Sequence, residues 1–530
     1  MHPSRSRRRV RLALGTVAIA ATLAGCTSAE SGLGSLAPSS SRSAGRGAPT
    51  SGSQPTQAKA RFSDCSKQFN LGALNFPPGR EQRLSFECAA IDVPLDYAAP
   101  GGRKVSLQLV RVHDSTNKSH ANSLLVNPGG PGGSGVELAL GLSARVPDRL
   151  LAKFDLVGFD PRGVGSSTPI RCLSDAEKDA VNAASPDVRT PTGFAAAKAQ
   201  AAKVAKACSA KYGKALAQFD TVQTAKDMAQ IRQAVGDARM NYLGFSYGTE
   251  LGAQYAHLFP HTIGVMVLDG AVNPLTSDIT AFADQLRGFE GSFDQFANWC
   301  KVHSPCKTLG DPREAVYNVA AQAMKSPIPS SQPGETRKAT SSLVYTGVLS
   351  ALYSKSQWPT LGEGLIGARG GDSQYLLQLA DDYNQRYNGK YSNIADANNT
   401  INCNDSKPGP SDATVRATTT SWVKRFPMFG LWSAASLFAC QQWQPDRTVP
   451  PLPSATGSAA TVLVVGNLND PATPYQGAKD LTKTLGKARL LTWDGEGHTS
   501  FLQGSACIDG LVEAYLISRT LPAPGKTCPR

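Results

Sequence analysis

The chain has 530 residues, 41% of them hydrophobic and 18% charged, a globular composition long enough for a large core plus a second unit. Its net charge of +13 raises a nucleic-acid partner. Five of the arginines (Arg5, Arg7, Arg8, Arg9, Arg11) lie in an N-terminal segment expected to be removed, which lowers the surplus to +8, and no dense basic run interleaved with aromatics follows, so nucleic-acid binding is set aside.

Residues 1–25 read as an export signal: arginines to position 11, then an apolar run from Leu12 to Leu23 that is too short for a permanent membrane span. The run ends in Leu23-Ala24-Gly25-Cys26, which resembles a bacterial lipobox, so Cys26 is expected to carry lipid and to anchor the chain on the outer face of the cytoplasmic membrane. Ser6-Arg7-Arg8-Arg9-Val10 loosely resembles a twin-arginine signal, and general or twin-arginine export are both open. Residues 26–60, dominated by Ser, Gly, Ala, Pro and Thr, bury no core and read as a flexible tether.

From residue 61 to 275 the pattern predicts the first part of an α/β core. Alternating stretches over Arg83–Leu95 and Lys104–Val112 read as antiparallel strands. Two apolar runs, Ser123–Val126 and Phe154–Phe159, each end in a glycine-rich loop, NPGGPGGSG (127–135) and DPRGVG (160–165). Neither loop is a phosphate-binding G-x-x-x-x-G-K-[ST], and the first suits backbone N–H groups that face a developing oxyanion. Helices are expected over Pro191–Tyr212 and Val222–Val235.

Asn241 to Pro260 then organises the chain. Met240–Phe245 reads as a buried strand, Leu251, Tyr255 and Leu258 recur at helical spacing, and between them Gly244, Ser246 and Gly248 spell G-x-S-x-G. Ser246 would sit at the tip of a tight strand-to-helix turn as a nucleophile. Another core strand is expected at Ile263–Leu268. Residues 276–449 change to aromatic-dotted helical segments and are expected to form an inserted cap; residues 450–530 return to the core, with strands at Thr461–Gly466 and Arg489–Trp493 and a helix over Cys507–Ile517.

A serine needs a base, and the base an acid. Of seven histidines, His498 alone lies directly after the last core strand, in GEGHT; His2, His113, His120, His257, His261 and His303 sit elsewhere. Asp470 follows the preceding strand and gives the order Ser246, Asp470, His498 of α/β-hydrolases, with Asp269 and then Asp494 as rivals for the acid. The oxyanion donors would be the N–H of Tyr247 and one from the Gly129–Gly130 loop. A peptidase acting at N-termini also needs a carboxylate for the substrate ammonium; Asp284, Glu290 and Asp294 at the start of the cap are candidates, although a solvated helix face explains each of them as well.

With Cys26 set apart, Cys65, Cys88, Cys172, Cys208, Cys300, Cys306, Cys403, Cys440, Cys507 and Cys528 are even in number, which in an exported chain favours five disulfides. Sequence leaves the connectivity open; closing the shortest loops would pair neighbours in that order. No C-x-x-C is present, and no metal or other cofactor is expected.

Several blocks together resemble the actinobacterial tripeptidyl-aminopeptidase-like α/β-hydrolases, a family of secreted or lipoprotein serine peptidases that includes an envelope hydrolase also called a carboxylesterase: NPGGPGGSG, DLVGFDPRGVGSS (155–167), YLGFSYGTELGAQYAHLFP (242–260), LDGAVNP (268–274), INCND (401–405), NDPATPY (469–475) and GEGHTSFLQGSACI (495–508). The resemblance spans about Cys65 to Cys528 and implies the Ser246, Asp470, His498 triad, a helical cap inserted before the last catalytic block, and release of tripeptides from N-termini. Asn273 departs from it, standing where related sequences often have aspartate. Alternatives are an esterase or endopeptidase of the envelope, or a surface lipoprotein that keeps the fold without the chemistry. A peptide or ester substrate and a monomeric state complete the expectation.

Overall fold

A computed structural model describes residues 57–119, 122–273, 276–406, 408–444 and 460–530; the export segment, Cys26 and most of the tether lie outside them. The last tether residues already rest on the core, with Ala60 N–H donating to Ala234 O at 2.8 Å.

The strands in chain order are β1 (Ser63–Asp64), β2 (Leu84–Pro94), β3 (Lys104–Asp114), β4 (Ser123–Asn127), β5 (Asp155–Phe159), β6 (Met240–Phe245), β7 (Ile263–Asp269), β8 (Arg386–Tyr387), β9 (Lys390–Tyr391), β10 (Val462–Asn469), β11 (Ala488–Glu496) and β12 (Thr527–Cys528). Ten of them form one sheet in the order β1-β2-β3-β5-β4-β6-β7-β10-β11-β12. From β1 to β5 neighbours run antiparallel, and from β5 to β12 parallel. The sequence follows this division. β2 and β3 alternate in burial, as strands with one solvated face do, whereas β4, β5 and β7 are buried at every residue because helices cover both faces. One face carries helices Thr221–Val235 and Tyr247–Leu258 and the other Gly135–Arg145 and Ala506–Ser518, whose apolar residues close two separate cores against the sheet.

Between β7 and β10 the described residues add no strand to that sheet. They form helices Asp278–Cys300, Pro312–Lys325, Ser341–Leu352, Trp358–Arg369, Gln374–Asn384, Ile394–Asp405 and Asp412–Arg425, with β8 and β9 a short hairpin. Their core gathers Phe289, Phe293, Phe296, Trp422 and Phe438. The partition does not follow chain order strictly. Val188, Phe194 and Ala197, from before the elbow, pack into this helical core, while Ala397 and Ile401 of the cap pack with Leu251 of the elbow helix.

The ten cysteines pair as Cys65–Cys88, Cys172–Cys208, Cys300–Cys306, Cys403–Cys440 and Cys507–Cys528. The two short edge strands, β1 and β12, each bring one of these cysteines beside the sheet, and neither has a periodic pattern long enough to read in advance.

Candidate active site

Ser246 stands between β6 and the helix Tyr247–Leu258 with φ 54° and ψ −127°, a conformation that costs a non-glycine residue energy and needs external support. The support is present. Ser246 N–H donates to Asp269 O at 2.9 Å, and Ser246 O accepts from Thr249 N–H at 2.8 Å and Thr249 Oγ1 at 2.6 Å. A Cβ at Gly244 would stand 2.5 Å from Gly248 O, so the turn closes only without one.

The 127–135 loop presses on this elbow. A Cβ on Gly129, whose φ is +91°, would lie 2.5 Å from Phe245 O and 2.8 Å from Tyr247 N. Gly129 N–H is engaged by Asn127 Oδ1 at 2.9 Å. Tyr247 opens its helix, where a backbone N–H has no partner one turn earlier and the helix dipole favours negative charge. Buried Asp160 ties the loop to the core, accepting from Ser134 Oγ at 2.5 Å and Ser166 N–H at 2.8 Å. From the cap, Asn398 Nδ2 donates to Pro131 O at 3.0 Å.

On the other side of the elbow, His498 Nδ1 lies 2.8 Å and 3.0 Å from the two oxygens of Asp470. Asp470 is 3% exposed and also accepts the N–H groups of Ala472, Thr473 and Thr499 at 3.0, 2.8 and 3.0 Å. Burial alone would lower the pKa of the His498 imidazole, but the adjacent Asp470 charge and hydrogen bond, with a smaller push from Asp269, hold it above the ordinary value. His498 N–H donates to Tyr353 O of the cap at 2.8 Å, and the Tyr353 ring stands edge-on to the imidazole at 5.5 Å. A Cβ on Gly270, directly after the residue that holds Ser246 N–H, would lie 3.3 Å from His498 Cε1, which brings the histidine to the nucleophile's side of the sheet.

Two asparagines that the sequence did not single out bind strand end to histidine loop. Asn467 Nδ2 donates to Gly497 O at 2.6 Å, and Asn469 Nδ2 to Gly495 O at 2.7 Å. Their signal was available: polar residues at alternate positions where the apolar pattern of β10 stops.

The remaining candidates are placed elsewhere. Asp494 faces Arg530 at 3.2 Å, and the Asp269 side chain takes backbone N–H groups after the histidine, not the ring. Asp284 pairs with Arg287; Glu290 and Asp294 share Arg313 at 3.1 and 2.7 Å, and Glu290 also accepts Met428 N–H and Phe429 N–H. Each of these three cap acids already has a cation. Asn273 donates to Asp480 Oδ2 at 2.8 Å. His113 contacts Asp155, and His303 meets Trp299 O.

A different set of carboxylates gathers around Tyr247. Its hydroxyl meets Thr221 Oγ1, which donates to Asp405 Oδ2 at 2.6 Å. Burial, with Asp220 and Glu250 nearby, raises Asp405 well above the carboxylate range, and burial with Asp278 pushes Glu250 up to about 7. Asp220, Glu250 and Asp405 come from three distant segments, so sequence spacing could not have joined them.

A strained serine on a strand-to-helix elbow, with a histidine–aspartate pair delivered by the last two long strands, defines a serine hydrolase of the α/β-hydrolase fold. A family model described as TAP-like protein matches residues 426–528. The serine protease Hip1 of Mycobacterium tuberculosis is 39% identical over 458 residues, covering 83% of this chain and 87% of that protein. Carboxylesterase B of the same species is 39% identical over 453 residues (83% and 86%), and the tripeptidyl aminopeptidase of Streptomyces coelicolor 31% over 497 (91% and 88%). An esterase from Exiguobacterium antarcticum superposes only loosely, at 13% identity and a TM-score of 0.35 over 78% of this chain and 97% of that one. The chain belongs to the TAP-like family of α/β-hydrolases.

Proposed function

We propose that this hydrolase is a peptidase of the cell envelope that releases short, tripeptide-sized fragments from free N-termini. Ser246 Oγ attacks the scissile carbonyl and passes its proton to His498 Nε2, while Asp470 keeps Nδ1–H in place. The oxyanion takes the N–H groups of Tyr247 and Gly130. His498 then protonates the leaving amine, and a water activated by the same imidazole frees the acyl group.

The observation that carries the peptide reading is the carboxylate group around Tyr247, the residue after the nucleophile. Burial with Asp220 and Glu250 nearby holds Asp405 above its ordinary value, burial with Asp278 does the same for Glu250, and an ammonium would relieve both. The cap acids expected from sequence each have an arginine. The relatives named serine protease and tripeptidyl aminopeptidase agree with peptide cleavage. An ester substrate is the second reading, favoured by the relative named carboxylesterase B.

One comparison separates them: a free-amine tripeptidyl anilide against its N-acetylated form and a medium-chain ester. Strong preference for the free amine, lost in Glu250→Gln or Asp405→Asn through a higher KM, supports the proposal; equal cleavage of the acetylated form defeats it.

Five disulfides suit a compartment outside the cytoplasm, and the Leu23–Cys26 segment supports a lipid anchor on Cys26. Globomycin should leave the precursor unprocessed; normal processing under the drug would refute anchoring there.

A further inference from the structure

Both halves of Asp269, the last residue of β7, touch the catalytic apparatus. Its carbonyl accepts Ser246 N–H at 2.9 Å. Its side chain is 0% exposed, and Oδ2 accepts the N–H groups of Ser500 at 2.9 Å and Phe501 at 2.7 Å. Oδ1 is buried without a hydrogen-bond partner. Because Asp470 takes Thr499 N–H, three consecutive backbone donors after His498 are held by two carboxylates, one ending β7 and one directly after its neighbour β10. The ionisable groups that face Asp269 are Asp470 and His498.

We infer that Asp269 is a positioning residue for the catalytic histidine: its carboxylate splints the 498–501 loop beside the triad acid and adds negative charge toward the imidazolium that forms at His498. This rests on the triad assigned above and extends it by a second acid that never touches the ring.

Stability alone does not explain the residue. Burial, reinforced by Asp470 and only partly offset by the two N–H bonds and His498, raises its carboxyl from 3.8 to about 6. A carboxyl raised in the folded state contributes its stability while protonated and loses it as pH rises through that value. At neutral pH ionising the group therefore costs stability relative to its protonated form, and what the charge offers there is the geometry and electrostatics of the site.

The test is Asp269→Asn, assayed for kcat, KM and pH dependence. The expected result is a fall in kcat on the order of a hundredfold from a displaced histidine, with KM nearly unchanged. The acid limb of kcat/KM should move to lower pH, since His498 loses a nearby negative charge, and the thermal midpoint at pH 8 should hold or rise. Wild-type kinetics, or lost activity with an unmoved acid limb and a lower midpoint, would overturn the inference. Should the variant not fold, the downfield Nδ1 proton of His498 in the wild type gives the answer: two steps on titration, one near pH 6, support the coupling, and a single step refutes it. The two readings fail separately. Fluorophosphonate labelling that persists in Ser246→Ala defeats the triad, whereas labelling that needs Ser246, His498 and Asp470 beside a wild-type-like Asp269→Asn defeats only the positioning role.

Discussion

His498 meets Asp470 through one ring nitrogen and both carboxylate oxygens, at 2.8 and 3.0 Å, while three backbone N–H groups also donate to that carboxylate. The acid therefore fixes tautomer and direction together. Asp470→Asn should lower kcat by about 10³- to 10⁴-fold with little change in KM. Steady-state kinetics on the best anilide substrate check this.

The same pair sets the pH profile. Activity needs neutral His498, whose pKa is raised above 6.5, so kcat/KM should climb with pH through a midpoint above 6.5. In Asp470→Asn the residual activity should show that midpoint at lower pH. An acid limb that stays in place would mean another group controls it.

Gly129 meets the elbow too closely for any side chain. Gly129→Ala should displace the oxyanion loop and reduce kcat by roughly 10²- to 10³-fold, the range for losing one oxyanion donor. Thermal melting shows whether the fold survives, and slower fluorophosphonate labelling reports the damaged site.

Arg162, from the loop after β5, is 0% exposed and forks onto Asp227 at 2.6 and 2.7 Å while donating to the carbonyls of Pro94, Leu95 and Gln218. Arg162→Met removes one member of a buried pair and strands the other, at a cost of about 3–5 kcal/mol. Chemical denaturation measures it.

No thiol among the ten paired cysteines should titrate in unreduced, denatured protein. Replacing Cys403 and Cys440 by serine opens a bridge spanning 37 residues, for a loss of about 2–4 kcal/mol. Because Cys403 lies on the helix that carries Asn398, kcat should fall as well.

The elbow was legible in the sequence because its chemistry is local: strand, glycines, serine and helix occupy twenty consecutive residues. The acid was legible as a first choice with rivals: Asp470, Asp269 and Asp494 all stand at or near strand ends, and Asp470, ranked first from its place after the strand before the histidine loop, is the one that meets the ring, at 2.8 Å. The partners of the cap acids were not legible either, since Arg313 comes from a different helix and nothing in the spacing of Glu290 and Asp294 announces it. Asp220, Glu250 and Asp405 escaped because a cluster assembled across 185 residues of chain leaves no periodicity to read.

Tyr353 and Asn398 belong to the helical insertion, yet one receives the N–H of His498 and the other holds Pro131 of the oxyanion loop. Exchanging this insertion between relatives to alter substrate choice thus also replaces part of the scaffold that holds the catalytic loops. A chimera that imports foreign helices without residues to reproduce those two contacts should fold around an intact elbow and turn over slowly on every substrate offered.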